Sequence, residues 1–153
     1  MEATALSDDA LIRRVLTVFS QKGLEKVHGG GKKQITSVIK SGLSFKAGVN
    51  VKEQLGLSDR EIAETIGTSE KTLQRRKKKG EHFTMVESDR LFRMTRIFAL
   101  ASEVLKSDDR ARKWLHRPQF GLGGEVPIEM MKTESGAKDV EELLYRIAYG
   151  DVA

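Results

Sequence analysis

Residues 58–80 constrain the fold of this chain more than any other stretch, because they contain the start of one helix, a turn and a second helix. Ser58 and Glu61 have the spacing of a capping box, in which each side chain accepts a hydrogen bond from the backbone N–H of the other residue. Gly67 follows the first helix and can adopt the left-handed conformation that turns the chain. The stretch therefore predicts a helix-turn-helix.

The second helix of this motif, capped by Thr68 or Ser69, combines one inward apolar residue with a cationic outer face. At about 100° per residue, Leu73 points toward the first helix and most of the basic side chains point away from it. The candidate DNA-binding residues lie on and beside the outer face: Ser69, Lys71, Thr72, Gln74, Arg75, Lys78 and Lys79. Arg, Lys, Gln and Thr side chains can reach base edges and phosphates in the major groove.

A solvated surface helix is the alternative interpretation of the same charge run. DNA binding is favoured because the capping box, the inward Leu73 and a small Ala63 one turn before Gly67 occur together. One feature disagrees, since Arg76 and Lys77 lie on the same side as Leu73, where an apolar residue is more usual. We therefore expect this helix to end or splay early at that point.

The residues before the motif predict two further helices and one ambiguous segment. The stretch from Leu6 to Phe19 contains a helical apolar stripe that follows the cap Ser7, and a supporting helix runs from Phe45 to Leu55 and ends at Gly56. Residues 28–33 are interpreted as a flexible linker, because they lack the outer glycine and the hydroxyl residue of a phosphate-binding loop. Residues 35–43 are apolar enough for either a helix or a strand.

A second capping box, Thr84 with Glu87, predicts the longest helix of the protein. The apolar stripe that would bury one side of this helix consists of Leu91, Met94, Phe98, Ala101 and Leu105. Three arginines recur along the same helix at intervals of three residues, either as a solvated face or as phosphate contacts: Arg90, Arg93 and Arg96.

Three shorter helices are predicted after it. Ser107 caps a helix that stops before Pro118, Pro127 opens one that extends to Lys132, and the last helix closes at Tyr149 and Gly150.

No segment requires a strand, so the predicted fold is all-α. It consists of a helix-turn-helix DNA-binding unit and a small helical C-terminal domain. The expected divisions are an N-terminal helical or flexible segment at 1–40, a DNA-binding domain at 41–83 and a C-terminal domain at 84–153.

The composition argues against several classes of function. The chain contains no cysteine, and its three histidines, His28, His82 and His116, lack the spacing of metal ligands. Because no nucleophile with its base can be assembled by spacing, we expect no catalytic residue, no metal and no cofactor. The chain shows no signal peptide and no apolar run long enough for a bilayer, so we expect a soluble cytoplasmic protein without a membrane partner.

The net charge of +5 is unevenly distributed along the chain. Basic residues outnumber acidic ones up to about residue 106, and acidic residues are in slight excess after it. A basic N-terminal part and a slightly acidic C-terminal part suggest that only the N-terminal part contacts nucleic acid. The C-terminal part therefore needs a different partner.

Five separated motifs of the second half carry a resemblance to a known family, in the order Glu87-Ser-Asp-Arg-Leu-Phe-Arg, Ala111-Arg-Lys-Trp-Leu, Leu122-Gly-Gly-Glu-Val-Pro, Lys132-Thr-Glu-Ser-Gly and Tyr145-Arg-Ile-Ala-Tyr-Gly. This half resembles the toxin-binding domain of the Xre/MbcA/ParS antitoxins. The likeness spans about residues 45–153 and covers residues 1–40 poorly. It implies the antitoxin of a type II toxin-antitoxin pair, which binds its own operator through the helix-turn-helix. It also implies a cognate toxin as partner, usually a RES-domain enzyme that destroys NAD, whose NAD pocket the last domain would cover.

The candidate toxin-binding residues are Trp114, Phe120, Gly123, Gly124, Glu125, Pro127, Tyr149 and Gly150. Aromatic side chains carry much of the energy of protein interfaces, although a Trp in a small helical domain is more often part of the core. The glycines either let a partner backbone approach closely or simply form the turn.

Two other classes of function remain open from the sequence. The first is a plain transcriptional repressor whose C-terminal domain dimerises or senses a ligand, and the second is an adaptor that never touches DNA. For either DNA-binding class we expect at least a homodimer on DNA, because one recognition helix covers only a few base pairs.

Overall fold

The computed structural model describes residues 6–20 and 31–150, and the regular structure in these ranges is entirely helical. This confirms the all-α prediction. The α-helices are α1 Asp8–Ser20, α2 Lys32–Ser41, α3 Phe45–Leu55, α4 Asp59–Ile66, α5 Glu70–Lys79, α6 Met85–Leu105, α7 Asp108–Leu115, α8 Pro127–Met130 and α9 Glu134–Ala148, with a 3₁₀ turn at Phe120–Leu122.

The helix boundaries follow from capping residues that the sequence already displays. In α4, Ser58 Oγ accepts from the Glu61 N–H at 3.0 Å while Glu61 Oε1 accepts from the Ser58 N–H at 2.9 Å. Thr84 and Glu87 form the same reciprocal box at the start of α6. Gly67 ends α4 at φ +82°, a conformation that residues with a Cβ rarely adopt. Both predicted capping boxes and the predicted turn are confirmed.

α6 is the central helix of the protein and, with 21 residues, the longest helix of the described chain. It packs against α1, α2, α3 and α4 from the N-terminal part and against α7 and α9 from the C-terminal part. The predicted stripe faces these neighbours, with Phe98 fully buried and Leu105 partly buried at its end. The guanidinium carbons of Arg14 and Arg112 each lie 5.9 Å from the centre of the Phe98 ring.

The N-terminal helices cover one side of α6. α1 buries the predicted stripe of Leu11, Ile12, Val15, Leu16 and Phe19 against α3 and α6. The segment left open between helix and strand is the helix α2, which packs on α6 and α1. Residues 28–30 of the predicted linker lie outside the described residues. The linker prediction is wrong at Lys32 and Lys33, which form the first turn of α2.

Side-chain contacts connect α3 and α4 to the C-terminal part of the chain. Arg112 Nε in α7 donates to the Gln54 carbonyl at 2.6 Å, and Lys132 pairs with both Glu64 of α4 and Glu129 of α8. The buried residues form one apolar cluster that extends from α1 to α9. The division between residues 83 and 84 stays a prediction.

The prediction that α5 ends or splays early is wrong. α5 continues to Lys79 and ends at Gly80, with φ +67°. Arg76 Nη1 donates to Glu87 Oε1 at 2.6 Å, and the two side chains are only 13% and 10% exposed. An arginine is tolerated on the inner side of α5 because its charge is neutralised there by a carboxylate.

Candidate DNA and protein interfaces

The orientation of α5 is set by an apolar anchor, Leu73, and an ion pair, Arg76 with Glu87, both on its inner side. Leu73 is buried against the helix-turn-helix core with Ile62 and Ile66. Ser69 caps the helix, since its Oγ accepts from the Thr72 N–H at 3.1 Å. These contacts hold the opposite face of α5 toward solvent.

The predicted DNA-binding residues are brought together on this outer face. Ser69, Lys71, Gln74, Arg75, Lys78 and Lys79 are exposed, and Thr72 is partly exposed. Ser69 Oγ donates to Thr72 Oγ1 at 3.0 Å, and Gln74 Nε2 makes a long contact of 3.4 Å to Asp59 Oδ2. Within the described residues, no carboxylate forms an ion pair with the four cations Lys71, Arg75, Lys78 and Lys79. The outer face therefore presents uncompensated positive charge.

One carboxylate oxygen connects the start of α6 to α5. Glu87 Oε1 accepts from the Thr84 N–H at 2.9 Å and also from Arg76. Burial of this carboxyl raises its pKa, but the hydrogen bonds from Thr84 and Arg76 and the charge of Arg76 outweigh burial and hold the pKa below its usual range. Glu87 is therefore ionised at neutral pH and fixes α5 against α6.

Sequence reasoning found the capping box of Glu87 but missed its second role as the partner of Arg76. The available signal was Arg76 itself. A cation on the buried side of a helix needs a carboxylate nearby. Glu87 is a buried acid of the adjoining helix.

Two of the three arginines of α6, Arg90 and Arg96, have structural contacts instead of a solvent-facing or DNA-facing role. Arg90 Nη1 donates to the Ile66 carbonyl at 2.9 Å, close to the turn at Gly67. Arg96 pairs with Asp8 at 2.6 Å and with Glu141, which joins α1, α6 and α9. The hydrogen bond from Arg96 lowers the pKa of Asp8.

The most exposed large apolar side chain of the described chain is Phe120, at 92%. It opens the 3₁₀ turn, which the Gln119 N–H closes by donating to the Glu125 carbonyl at 3.0 Å. Gln119 Nε2 also donates to the Trp114 carbonyl at 2.9 Å, so the turn is tied to the end of α7. The backbone thus holds the Phe120 ring in solvent.

The other predicted toxin-binding residues near this turn differ in their exposure to solvent. Gly123, Gly124 and Glu125 are exposed in it, while Trp114 is partly buried beside a groove of about 410 Å³ that Leu105 and Arg117 also line. Pro127 opens α8, as predicted, but is buried there, so its structural role is to start the helix.

Tyr149 and Gly150 lie at the end of α9. The Tyr149 ring is 68% exposed and stacks on Tyr145, with 6.3 Å between ring centres. Because α9 also packs on the 3₁₀ turn, the C-terminal part joins two elements that each carry an exposed aromatic ring. Exposed aromatic side chains are typical anchors of protein interfaces.

Neither a metal cluster nor a membrane-spanning helix is found in residues 6–20 and 31–150. No group of three or more His, Cys, Asp or Glu residues there is arranged to hold a metal ion. The helices of this part are too short or too polar to cross a bilayer.

Fold and surfaces together define an all-helical protein with a helix-turn-helix in its first part and a second helical module behind it. Residues 34–96 match the antitoxin Xre-like helix-turn-helix domain, and residues 100–150 match the antitoxin Xre/MbcA/ParS C-terminal toxin-binding domain.

Three similar proteins are each named antitoxin Xre. The antitoxin Xre of Yersinia enterocolitica is 30% identical over 113 residues, which cover 73% of this chain and 76% of that protein. The antitoxins Xre of Pseudomonas putida and Photorhabdus laumondii are 39% and 43% identical over 80 and 72 residues, 52% and 46% of this chain. The matched segments span about half the length of these last two relatives. The chain belongs to the Xre/MbcA/ParS family of antitoxins.

Proposed function

We propose that this protein is the antitoxin of a type II toxin-antitoxin pair, acting in the cytoplasm by binding its partner toxin directly. It also represses its own operon through α5. The observation that carries the proposal is the presence, in one chain of this family, of an uncompensated cationic recognition helix and a separate surface with exposed aromatic rings. The two surfaces differ in the chemistry of the partner that each one suits.

The cationic surface is assigned to operator DNA. Arg75 and Lys71 are exposed, belong to a helix held by Leu73 and Arg76, and have no ion-pair partner among the described residues. Such side chains reach base edges or neutralise phosphates in the major groove. The protein acts on DNA as at least a homodimer, because one such helix covers only a few base pairs.

The aromatic surface is assigned to the toxin. Phe120 and Tyr149 supply apolar area that the fold itself leaves in solvent. Trp114, Gly123, Gly124, Glu125 and Gly150 are the remaining candidate contacts around them. The resemblance to the family implies that the toxin is a RES-domain enzyme that degrades NAD, and that this surface covers its NAD pocket.

Co-expression with the product of the adjacent gene tests the proposal. The neighbouring protein alone should stop growth and deplete intracellular NAD, and the parent protein should restore both and copurify with it. A harmless neighbour with intact binding to upstream DNA would overturn the antitoxin function and leave a plain repressor. Growth arrest without NAD loss would exclude only the NAD-degrading class of toxin.

A further inference from the structure

We propose that the polar face of α2 is a second DNA-contacting surface, which binds phosphates of the duplex beside the segment that α5 reads. This inference rests on the proposed function and extends it to residues 32–41. Lys32, Lys33 and Lys40 share the face with Thr36, Ser37 and Ser41, and together these residues line one shallow groove. All six are exposed.

Most of the positive charge of α2 is not balanced by acidic side chains. The helix contains three lysines and no acidic residue. Among described residues, no carboxylate forms an ion pair with Lys33 or Lys40, whereas exposed Arg60 and Lys113 each pair with an acid one turn away. Lys32 is partly offset, because its charge helps to lower the pKa of Asp8 after the stronger effect of Arg96.

The position of two of these lysines is unfavourable for the isolated helix. Lys32 and Lys33 lie in the first turn of α2, where the helix dipole favours acidic side chains by about 0.3–1 kcal/mol each. Nothing in α2 itself repays this cost. A polyanionic partner would, because each phosphate that a lysine neutralises also releases condensed counterions.

The fold packs the turn after α2 on the segment that follows α5. His82 Nδ1 lies 3.1 Å from the Gly42 carbonyl oxygen, and the Phe83 N–H donates to the Leu43 carbonyl at 2.8 Å. The approach is so close that a Cβ on Gly42 would lie 2.2 Å from the Phe83 carbonyl oxygen. The turn after α2 is therefore fixed to the segment after α5, so the C-terminal ends of the two helices, which carry Lys40 and Lys79, lead into the same contact.

The chemistry of this surface suits the DNA backbone better than an acidic protein. Its side chains are lysines and hydroxyls, and it has no aromatic or large apolar anchor of the kind that dominates protein interfaces. Lysines and hydroxyls are the usual contacts to phosphate oxygens, which position a protein on the duplex without reading its sequence. Lys33 and Lys40 are separated by about 10.5 Å along the helix axis, the rise of roughly three base pairs.

The test measures the salt dependence of DNA binding for the double variant Lys33→Gln, Lys40→Gln. Binding is titrated from low to moderate KCl with DNA from upstream of the gene and with a duplex of unrelated sequence. We expect both affinities to fall and the slope of log K against log[KCl] to decrease by about two, since each lost phosphate contact removes about one. Lys138→Gln, at an exposed lysine of α9, is the matched control and should leave the slope unchanged.

Two further variants separate the possible failures. Lys33→Arg, Lys40→Arg should restore the parent slope, and thermal melting checks that all variants remain folded. If Arg75→Ala weakens upstream DNA binding while the α2 double variant keeps the parent slope, the α2 inference is overturned and the proposed function stands. If the α2 variant instead loses only toxin binding, the surface is a protein interface and the inference is also overturned. Absence of DNA binding by the parent would overturn this inference and the assignment of α5 to operator DNA, but not the neutralisation of a toxin.

Discussion

Arg75 and Arg76 are adjacent in α5, but their side chains lie in different electrostatic environments. Arg75 is exposed on the outer face without an ion pair in the described structure, whereas Arg76 is largely buried and hydrogen-bonded to Glu87. The same division holds more widely. Arg14, Arg96 and Lys132 pair with carboxylates where helices meet, while the outer cations of α5 do not.

The comparison separates cations that hold the fold from cations that remain available for a ligand. A paired cation between helices is neutralised locally, so it contributes to packing and little to the field outside the protein. An unpaired exposed cation contributes little to stability and leaves its charge for a polyanion. The surface around Phe120 differs from both, because its interaction would depend on apolar area instead of charge.

Arg76→Ala should give the largest effect, a loss of about 3 kcal/mol in the free energy of unfolding, measured by urea denaturation. Removal of one member of a buried pair leaves the other charge without its partner, which typically costs about 3–5 kcal/mol. Glu87 keeps its hydrogen bond from Thr84, so the lower end is expected. Arg75→Ala is the control and should change stability by less than about 0.5 kcal/mol. Equal midpoints for the two variants would show that Arg76 does not hold α5.

The same ion pair predicts a stability loss in acid. Because folding lowers the pKa of Glu87, its contribution to stability is present above the pKa of this group in the unfolded chain, about 4.3, and disappears as the pH falls through the folded value. The free energy of unfolding should therefore decrease below about pH 5. Glu87→Gln should flatten that decrease in urea titrations at several pH values. A pH profile identical to that of the parent would contradict the assigned ionisation.

Phe120→Ala should weaken toxin binding by at least about 2 kcal/mol without a change in melting temperature. A fully packed aromatic anchor contributes this much at an interface, and the ring makes little contact with its own fold. Isothermal titration with the partner toxin measures the loss. Met85→Ala, at an apolar side chain that is 53% exposed on α6, should have no effect. If both variants bound alike, the assignment of the toxin to the 3₁₀ turn would be wrong.

Arg75→Ala should weaken binding to upstream DNA by about 1–3 kcal/mol, the range for a bidentate base contact. Competition with unrelated DNA in gel shifts shows whether the lost contact was specific. A loss confined to upstream DNA indicates base reading, and an equal loss on both duplexes indicates a phosphate contact. Unchanged affinity for both duplexes would show that α5 is not part of the DNA interface. The functional contrast between Arg75 and Arg76 would then no longer hold.

The helices were predictable because their ends depend on local chemistry. The Ser58 and Glu61 box, the Thr84 and Glu87 box and Gly67 are recognised from spacing alone, and the structure confirms them. The continuation of α5 was not predictable in this way, because it depends on a contact between Arg76 and Glu87 that only the folded chain makes.

The candidate sites were predictable to a more limited extent. Periodicity placed Lys71 and Arg75 on an exposed face, but it could not distinguish the buried Pro127 from the exposed Phe120 in one glycine-rich loop. Burial in such a loop depends on where the following helix packs. The sequence pattern of the loop does not contain that information.

A smaller loss of stability than that of Arg76→Ala is expected at Gly123, and it distinguishes a turn-forming glycine from one that a partner approaches. Gly123 has φ +66°, and a Cβ added there would meet no atom within 4 Å, so any cost of substitution is conformational. Gly123→Ala should cost about 1–2 kcal/mol in the free energy of unfolding, whereas Gly123→Asn should cost less because Asn tolerates this region. If the toxin backbone packs on the turn, Gly123→Asn should still weaken toxin binding in titration calorimetry, since its side chain occupies the contact. Parent-like toxin binding by the Asn variant, alongside a destabilised Ala variant, would show that Gly123 serves only the turn, and the interface would then depend on Phe120 and Tyr149.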